Sequence, residues 1–390
     1  MKNILLMTLM TTAIFLMAGC EQFSTSYQRI DDAEFRLLDF IFEPADASPG
    51  DTVTLMAVFA GKKVDNLNDY IKWHISFNVV RDLLFGAATV LDSSRLEKYS
   101  FDTVQFSGAT QSVAFKIPIP KDIMRQSRQI PDRWTDMLPP SVASTIPAEF
   151  ASMTKNQIID TLESFLENPD GVLDGSSLST QNADYLPRLL QIFAVPIRVA
   201  AKIEESGRLP HAIHSYQTIR YNRRLYTAGV KGIPINRNPS IDSVVVYKVE
   251  GGEDIQSFNT KSGRKYTAKR LDNSADPVIE IESGYSYFLE AFSDNSIDTS
   301  LTTSGAPAVE KHYAYWQFGL NREEAGGVHH SEYMDIGKVT RGGPSKLTPP
   351  SNRNIKRFTL WVTVNDEVIG ELNRPEASTL KEVSGRFTYR

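Results

Sequence analysis

Apolar residues recur at every second position in a series of short runs, and Pro, Gly, Asn and Ser fill the gaps between them. That period belongs to strands with one buried face, because successive side chains of an extended chain point to opposite sides. The first run is Phe35 to Phe42, ended by Pro44 and the turn Ser48-Pro49-Gly50-Asp51. Thr52 to Phe59 follows, with Val53, Leu55, Ala57 and Phe59 on one side. Ile71 to Phe77 repeats the device with Ile71, Trp73, Ile75 and Phe77, and Val113 to Ile117 is stopped by Pro118 and Pro120. A chain written this way is predicted to fold as mainly β.

A Pro-Gly-Asp turn feeds the second run, and a Trp sits on the third. With Pro49, Gly50, Asp51, Leu55 and Trp73 in these places, the order resembles one face of an immunoglobulin-like sandwich, which buries a Trp on its third strand. The usual pair of core cysteines is absent, and the resemblance is one of architecture, naming no particular family. It implies two immunoglobulin-like β-sandwiches, one over residues 33–228 and one over 241–390.

Between residues 121 and 192 the period changes. Pro147-Ala148-Glu149 opens a stretch in which Ile158, Ile159, Leu162, Phe165 and Leu166 recur at helical spacing, stopped by Asn168-Pro169-Asp170-Gly171. A second helix is expected from Asp184 to about Phe193, with Leu186, Leu189, Leu190 and Phe193 on one side. Strand chemistry returns at Pro196 to Ile203 and, after the turn Ser206-Gly207-Arg208, at His214 to Tyr221. That pair reads as the last hairpin of the first sandwich. The helical stretch is therefore expected as an insertion inside one sandwich, a separate helical domain being the other arrangement the pattern allows.

Gly229 to Pro239 is rich in Gly, Pro and Asn and reads as a linker, so 229–240 is set between the sandwiches. Ile241 to Val249, Tyr285 to Phe292, Tyr313 to Phe318, Phe358 to Val364 and Gly385 to Tyr389 supply the second set of strands. The Ser-, Thr-, Gly- and Pro-rich loops at 294–310 and 341–355 have lengths often tied to function.

Cys20 is the single cysteine, and it directly follows a basic start at Lys2 and the apolar run from Ile4 to Gly19. A positive start, a short apolar core and small residues at the break have the shape of a secretory signal, and the run is short for a bilayer span of about 20 residues. With Met17-Ala18-Gly19 before Cys20, the segment resembles a bacterial lipoprotein precursor. The resemblance implies a signal peptide over 1–19, cleavage between Gly19 and Cys20, a diacylglycerol on the sulfur and an acyl chain on the new amino group. Two or more chains hold a protein firmly on a membrane, where one binds marginally. Residues 20–32 then form the lipidated Cys and a polar tether. Glu21 stands where enteric bacteria use Asp for inner-membrane retention, which favours the outer membrane of the cell envelope.

Lipidation would leave no thiol, so a disulfide framework, a thiolate zinc site and a cysteine nucleophile are excluded. Stability must come from apolar burial, which about 370 residues can supply. The net charge of −5 favours solubility, and no basic stripe points to nucleic acid.

Few side-chain patterns carry chemistry. Ser152-Met153-Thr154-Lys155 matches Ser-x-x-Lys, and Lys261-Ser262-Gly263 is similar to the Lys-Thr-Gly strand of penicillin-recognising enzymes. The intervening Ser-x-Asn element is out of place, Ser257-Phe258-Asn259 lying only two residues before Lys261, and a chance match is the better reading. His329-His330, with His312, Glu332 and Asp335 nearby, read as surface loop histidines rather than a metal site, because adjacent strand residues point apart. Asp170 to Ser176 has oxygen ligands at the first and fifth positions of a calcium loop but Val172 at the third, and reads as a helix–helix turn. Arg220 to Arg224 and Arg353 to Arg357 read as solvated strand edges, and Gly342 to Lys346 lacks the spacing of a phosphate loop.

Lys311 to Phe318 is the most suggestive run. Tyr313 and Tyr315 share one strand face and Trp316 and Phe318 the other, so one face is expected in the core and the other as an aromatic platform for a sugar ring or a protein. No nucleophile, base and oxyanion donor come together, so no catalytic residue, metal or cofactor is expected. The expectation is a membrane-anchored, non-catalytic binding or scaffolding protein with an envelope protein as partner, the helical insertion being its contact. A cell-surface glycan held through Tyr313, Tyr315 or Trp316 is the alternative.

Overall fold

The computed structural model describes residues 35–81, 88–95, 105–107, 110–128, 130–138, 140–167, 189, 193–203, 211–229, 235–250, 266–272, 278–293, 297–298, 313–324, 327–338, 345–347, 353, 355–365 and 377–389. Strands dominate them. The first eight are β1 (Phe35–Glu43), β2 (Thr52–Gly61), β3 (Ile71–Arg81), β4 (Ala88–Arg95), β5 (Gln105–Ser107), β6 (Thr110–Pro118), β7 (Ala194–Ile203) and β8 (His211–Arg220). They form two antiparallel sheets, in the orders β1-β2-β6-β5 and β4-β3-β7-β8.

The period-two residues decide which faces meet. Val53, Leu55, Ala57 and Phe59 of β2 are wholly buried, as are Ile75 of β3 and Phe115 and Ile117 of β6. Trp73 stands edge-on between the sheets, its ring centroid 6.1 Å from Phe59 and 4.5 Å from Phe115. Edge-to-face contacts of this kind add to the apolar area an aromatic side chain buries. The turn into β2 closes on itself, the Asp51 amide donating to the Ser48 carbonyl (3.0 Å) and the Ser48 amide to the Asp51 carboxylate (2.9 Å). Gly50 sits there at φ +88°, which an L side chain rarely adopts.

Between β6 and β7 the described chain is helical, with its longest helix at Lys155–Glu167. Thr154 and Gln157 begin it as a reciprocal cap: the Thr154 amide donates to the Gln157 side-chain oxygen (2.9 Å) and the Gln157 amide to the Thr154 hydroxyl (3.4 Å). Ile158, Ile159, Leu162, Phe165 and Leu166 form its buried stripe. With Trp134, Phe150, Leu189 and Phe193 they belong to the same contiguous apolar cluster as Trp73 and Phe115. The described helices therefore share the core of the first sheet pair instead of building their own. Most of the expected helix from Asp184 to Phe193 lies outside the described residues.

The second group comprises β9 (Ile235–Asn236), β10 (Ile241–Glu250), β11 (Tyr266–Asp272), β12 (Ile279–Glu282), β13 (Tyr285–Ser293), β14 (Ile297–Asp298), β15 (Tyr313–Glu324), β16 (Gly327–Lys338), β17 (Ser345–Leu347), β18 (Ile355–Asn365) and β19 (Ser378–Thr388). Two sheets have the orders β11-β10-β13-β17 and β12-β19-β18-β15-β16, with β12 parallel to β19 and the other pairs antiparallel. Val244, Leu289, Trp316, Leu360 and Val362 are wholly buried between them. Gly385 lets β19 pass close to β18: a Cβ there would fall 2.0 Å from the Phe358 ring.

Residues 229–240, read as a linker, are stitched in where described. β9 pairs with β14, and the Asn238 side chain donates to the Phe42 carbonyl (2.7 Å) and to Glu43 (2.9 Å). The side-chain oxygen of Asn238 accepts from the Ser378 amide at 3.1 Å, so one residue ties both sandwiches. Beside it the Ser378 hydroxyl donates to the Phe40 carbonyl (3.2 Å). Leu38 and Ala60 of the first sandwich pack with Trp361 and Leu380 of the second. This contact explains why β18 is buried on both faces: Phe358, Leu360, Val362 and Val364 look into their own core, and Trp361 meets the neighbouring sandwich.

Candidate functional site

At the end of β1 the chain turns through the cis Glu43-Pro44 peptide into Ala45 and Asp46. These residues, the helix Asn222–Thr227 and the segment 235–238 enclose a cleft of about 420 Å³. Its walls are set by hydrogen bonds between distant segments. Gln217, wholly buried, donates through its amide to the Pro44 (2.7 Å) and Ala45 (3.1 Å) carbonyls. The Asn236 amide donates to the Asp46 carboxylate at 3.3 Å, and Asn238 holds Glu43 as described. Arg223, Tyr226, Thr227 and Arg237 complete the lining.

A second recess, of about 450 Å³, opens between the Pro49-Gly50-Asp51 turn and the helical segment. Arg125 bridges to Asp160 and Glu163 on the long helix. Burial works against the Arg125 charge, but its two carboxylate partners outweigh it and hold the guanidinium above its ordinary range. Glu163 also accepts from the Tyr221 hydroxyl (3.1 Å). Burial first, and then the Glu163 charge, push that phenol well above its usual value. The Arg125 pairs thus join two helices of the segment, and the Tyr221 hydroxyl ties the long helix to the end of β8, with Lys121, Asp122, Glu167 and Arg224 around the rim.

The sequence-derived candidates scatter. Trp316 is wholly buried in the second core, on the face of its sheet that also carries Val362 of the adjacent β18, so it cannot belong to an exposed platform. Tyr313 and Tyr315 occupy β15 positions paired with Asn365 and Thr363, and their side chains lie outside the described residues. Gly19, Cys20 and the calcium-like stretch from Asp170 to Ser176 also lie outside them. His329 and His330 are on the edge strand β16, opposite Arg322 and Asn321, and not in a loop. Their neighbours read as loop residues because Gly326, Gly327 and the charges from Arg322 to Glu324 hide the strand signal. Ser152 donates to the Glu149 carbonyl (2.9 Å) while Lys155 donates to the Ser127 carbonyl (3.2 Å), so the Ser-x-x-Lys pair is divided between two local contacts. Arg220 does end an edge strand, but Arg223 and Arg224 lie on a short helix and Arg357 on the central strand β18.

Both recesses escaped the sequence reading. Their residues come from segments read as a strand end, a turn, a linker and the helical insertion, and the clearest trace of the first in the sequence is the polar triplet Asn236-Arg237-Asn238. Among the described residues no group of three or more His, Cys, Asp or Glu is placed to hold a metal ion. Among them, too, no helix is long and apolar enough to cross a membrane, which says nothing of spans made by strands.

No protein-family model and no curated protein matches the chain. Among solved structures, it is similar to dimeric latent PorU from Porphyromonas gingivalis at 10% identity and a TM-score of 0.19, over 95% of this chain and 21% of that one. Three N-terminal domains of the highly immunogenic outer capsid protein of bacteriophage RB49 give 10% identity and a TM-score of 0.21, over 92% of this chain and 100% of that one. The chain thus spans about a fifth of the first and all of the second. Likenesses at this level carry no argument about what the protein does.

Proposed function

We propose that the protein is a lipid-anchored lipoprotein of the bacterial envelope, held in the outer membrane through Cys20, that binds or scaffolds an envelope protein without catalysing a reaction. Its two sandwiches are immunoglobulin-like. With β1 to β8 read as A, B, C, C′, D, E, F and G, the first has sheets A-B-E-D and C′-C-F-G, the immunoglobulin arrangement with a C′ strand added. The helical segment falls between E and F.

One observation carries the reading: the polarity of the first sandwich. The chain enters β1 at Phe35, which pairs with Gly61, whereas Glu43 at the other end pairs with Thr54. Thr52 pairs with Pro118, so the helical segment leaves from that far end. Nine strand residues span about 30 Å. A tether reaching Phe35 from a membrane would thus hold the helical segment outward. The long helix supports this role, since Asn156, Gln157, Asp160, Ser164 and Glu167 are exposed while its apolar stripe is locked in the core. Rigidly displayed polar faces suit recognition better than mobile ones, because less ordering is needed on binding.

Cys20→Ser tests the anchor. The variant should leave the detergent-soluble membrane fraction or accumulate uncleaved, as read by fractionation and mass spectrometry of the amino-terminal peptide. A variant that matures and partitions like the wild type overturns the reading.

A further inference from the structure

We propose that the junction between the two sandwiches is a proton-controlled latch, held while Asp39 carries its proton and loosened when Asp39 ionises. Asp39 Oδ1 accepts from the Phe40 amide at 2.8 Å, and Oδ2 is enclosed beside the Ser378 hydroxyl. That hydroxyl has one proton, and it goes to the Phe40 carbonyl at 3.2 Å. The Ser378 amide is engaged as well, donating to Asn238 Oδ1 at 3.1 Å. A carboxylic acid fits this arrangement. Its own proton can be given to the Ser378 oxygen, which completes a chain from Asp39 through Ser378 to the Phe40 carbonyl. A carboxylate breaks the chain. Oδ2 then lacks a donor unless Ser378 lets go of Phe40, and letting go undoes a tie between the second sandwich and the first.

Charged groups surround the junction without controlling Asp39. β2, which pairs with β1, carries no ionisable residue, and on β1 itself the others are Arg36 and Glu43. The face of β18 and β19 that bears Trp361 also holds Arg357, Glu382 and Arg386, with Lys356 and Lys381 on the opposite face. Glu382 accepts from the Trp361 indole (3.4 Å), and Arg386 pairs with Glu280 (3.0 Å). β8, bridged to Ala47 just past β1, carries His211, His214, Tyr216 and Arg220. Burial and two local hydrogen bonds, not these charges, set the acidity of Asp39. In the closed seam it ionises only at about pH 7, against 3.8 in water. Opening is therefore favoured roughly tenfold per pH unit between about 4 and 7, and no further above that. Loosening bares Leu38, Ala60, Trp361 and Leu380, an apolar strip that acid conditions keep hidden. The latch goes beyond the anchored-scaffold reading and stands whether or not Cys20 is lipidated.

The test is hydrogen exchange of the full chain in detergent between about pH 4 and 9, each amide corrected for its intrinsic rate. The Ser378 amide spans the seam to Asn238 and reports opening, while the Leu55 and Val362 amides, on central strands of the two cores, report global unfolding. Exchange at Ser378 should quicken roughly tenfold per pH unit up to about 7 and then level off, with the core amides unchanged. Asp39→Asn, neutral at every pH, should abolish the dependence. Ser378→Ala removes the hydroxyl that lowers the Asp39 pKa, so the rise should continue to higher pH before levelling. A wild-type rate that does not follow pH overturns the proposal. So does an equal response in Asp39→Asn, a response of the core amides in step with position 378, or a Ser378→Ala profile that levels no higher than wild type.

Discussion

Asp39 shows how one side chain can set a pH response. It lies on β1 beside a register shift, and although the residue as a whole is half-buried, its carboxyl turns into the packed junction next to Ser378. Burial raises its pKa from 3.8 to about 7, against the lowering effect of the Ser378 hydroxyl and the Phe40 amide. An acid whose folded pKa lies above its unfolded one binds protons more tightly when folded. Its contribution is therefore fully present below about 4 and lost as pH rises through about 7. Melting curves between pH 4 and 9 should show wild type falling against Asp39→Asn as pH rises, with the two converging at the acid end. A constant offset would place the carboxyl in water. No sequence rule marks this residue, since an Asp on an alternating strand reads as one more solvent-facing position.

At the level of elements, the alternation made much of the β architecture readable and also set its limit. The runs at Thr52 to Phe59 and Ile71 to Phe77 stand out because each has one apolar face and one mixed one, as a strand over a single core must. β4, β11 and β16 carry too many polar residues for that rule, and each lies at the end of a sheet, where one neighbour is missing and the pattern weakens. β18 is legible as a strand from Phe358 to Val364, but not its burial on both faces, where Thr359, Trp361 and Thr363 are covered opposite the apolar row because Trp361 serves a second contact. Gly385 opens the run Gly385 to Tyr389 that the sequence marks as a strand, but its close approach to the Phe358 ring shows only when β19 is laid against β18. Gly385→Ala should lower stability by about 1–3 kcal/mol, the usual effect of overpacking, because the Phe358 ring and not a flexible chain end stands in the way. Urea unfolding measures it, and a loss below about 0.5 kcal/mol would mean that the ring turns aside without strain.

Across the whole molecule, the consequential feature is that the sandwiches are joined through side chains as well as through the backbone. Leu38, Ala60, Trp361 and Leu380 make the apolar part of that seam, and Asn238 and Ser378 the polar part. Tandem domains with sparse contacts move independently, whereas an apolar seam couples their unfolding. Scanning calorimetry should give one transition for the wild type and two for Trp361→Ala, whose truncation removes the largest apolar group at the junction. A single transition at an unchanged midpoint in the variant would show that the seam contributes nothing. This scale was the least legible of the three, because a seam is built from residues that each look like ordinary strand or linker positions.

The hydroxyl of Ser378 reaches the carbonyl of Phe40 across 338 residues of chain. The outer side of β1 is thus among the first parts of the described protein to leave the ribosome and among the last to be covered. A message cut short, or a protease nicking ahead of β19, would leave Leu38 and Ala60 bare on an otherwise finished domain, a sticky scar by which quality control can recognise an incomplete copy.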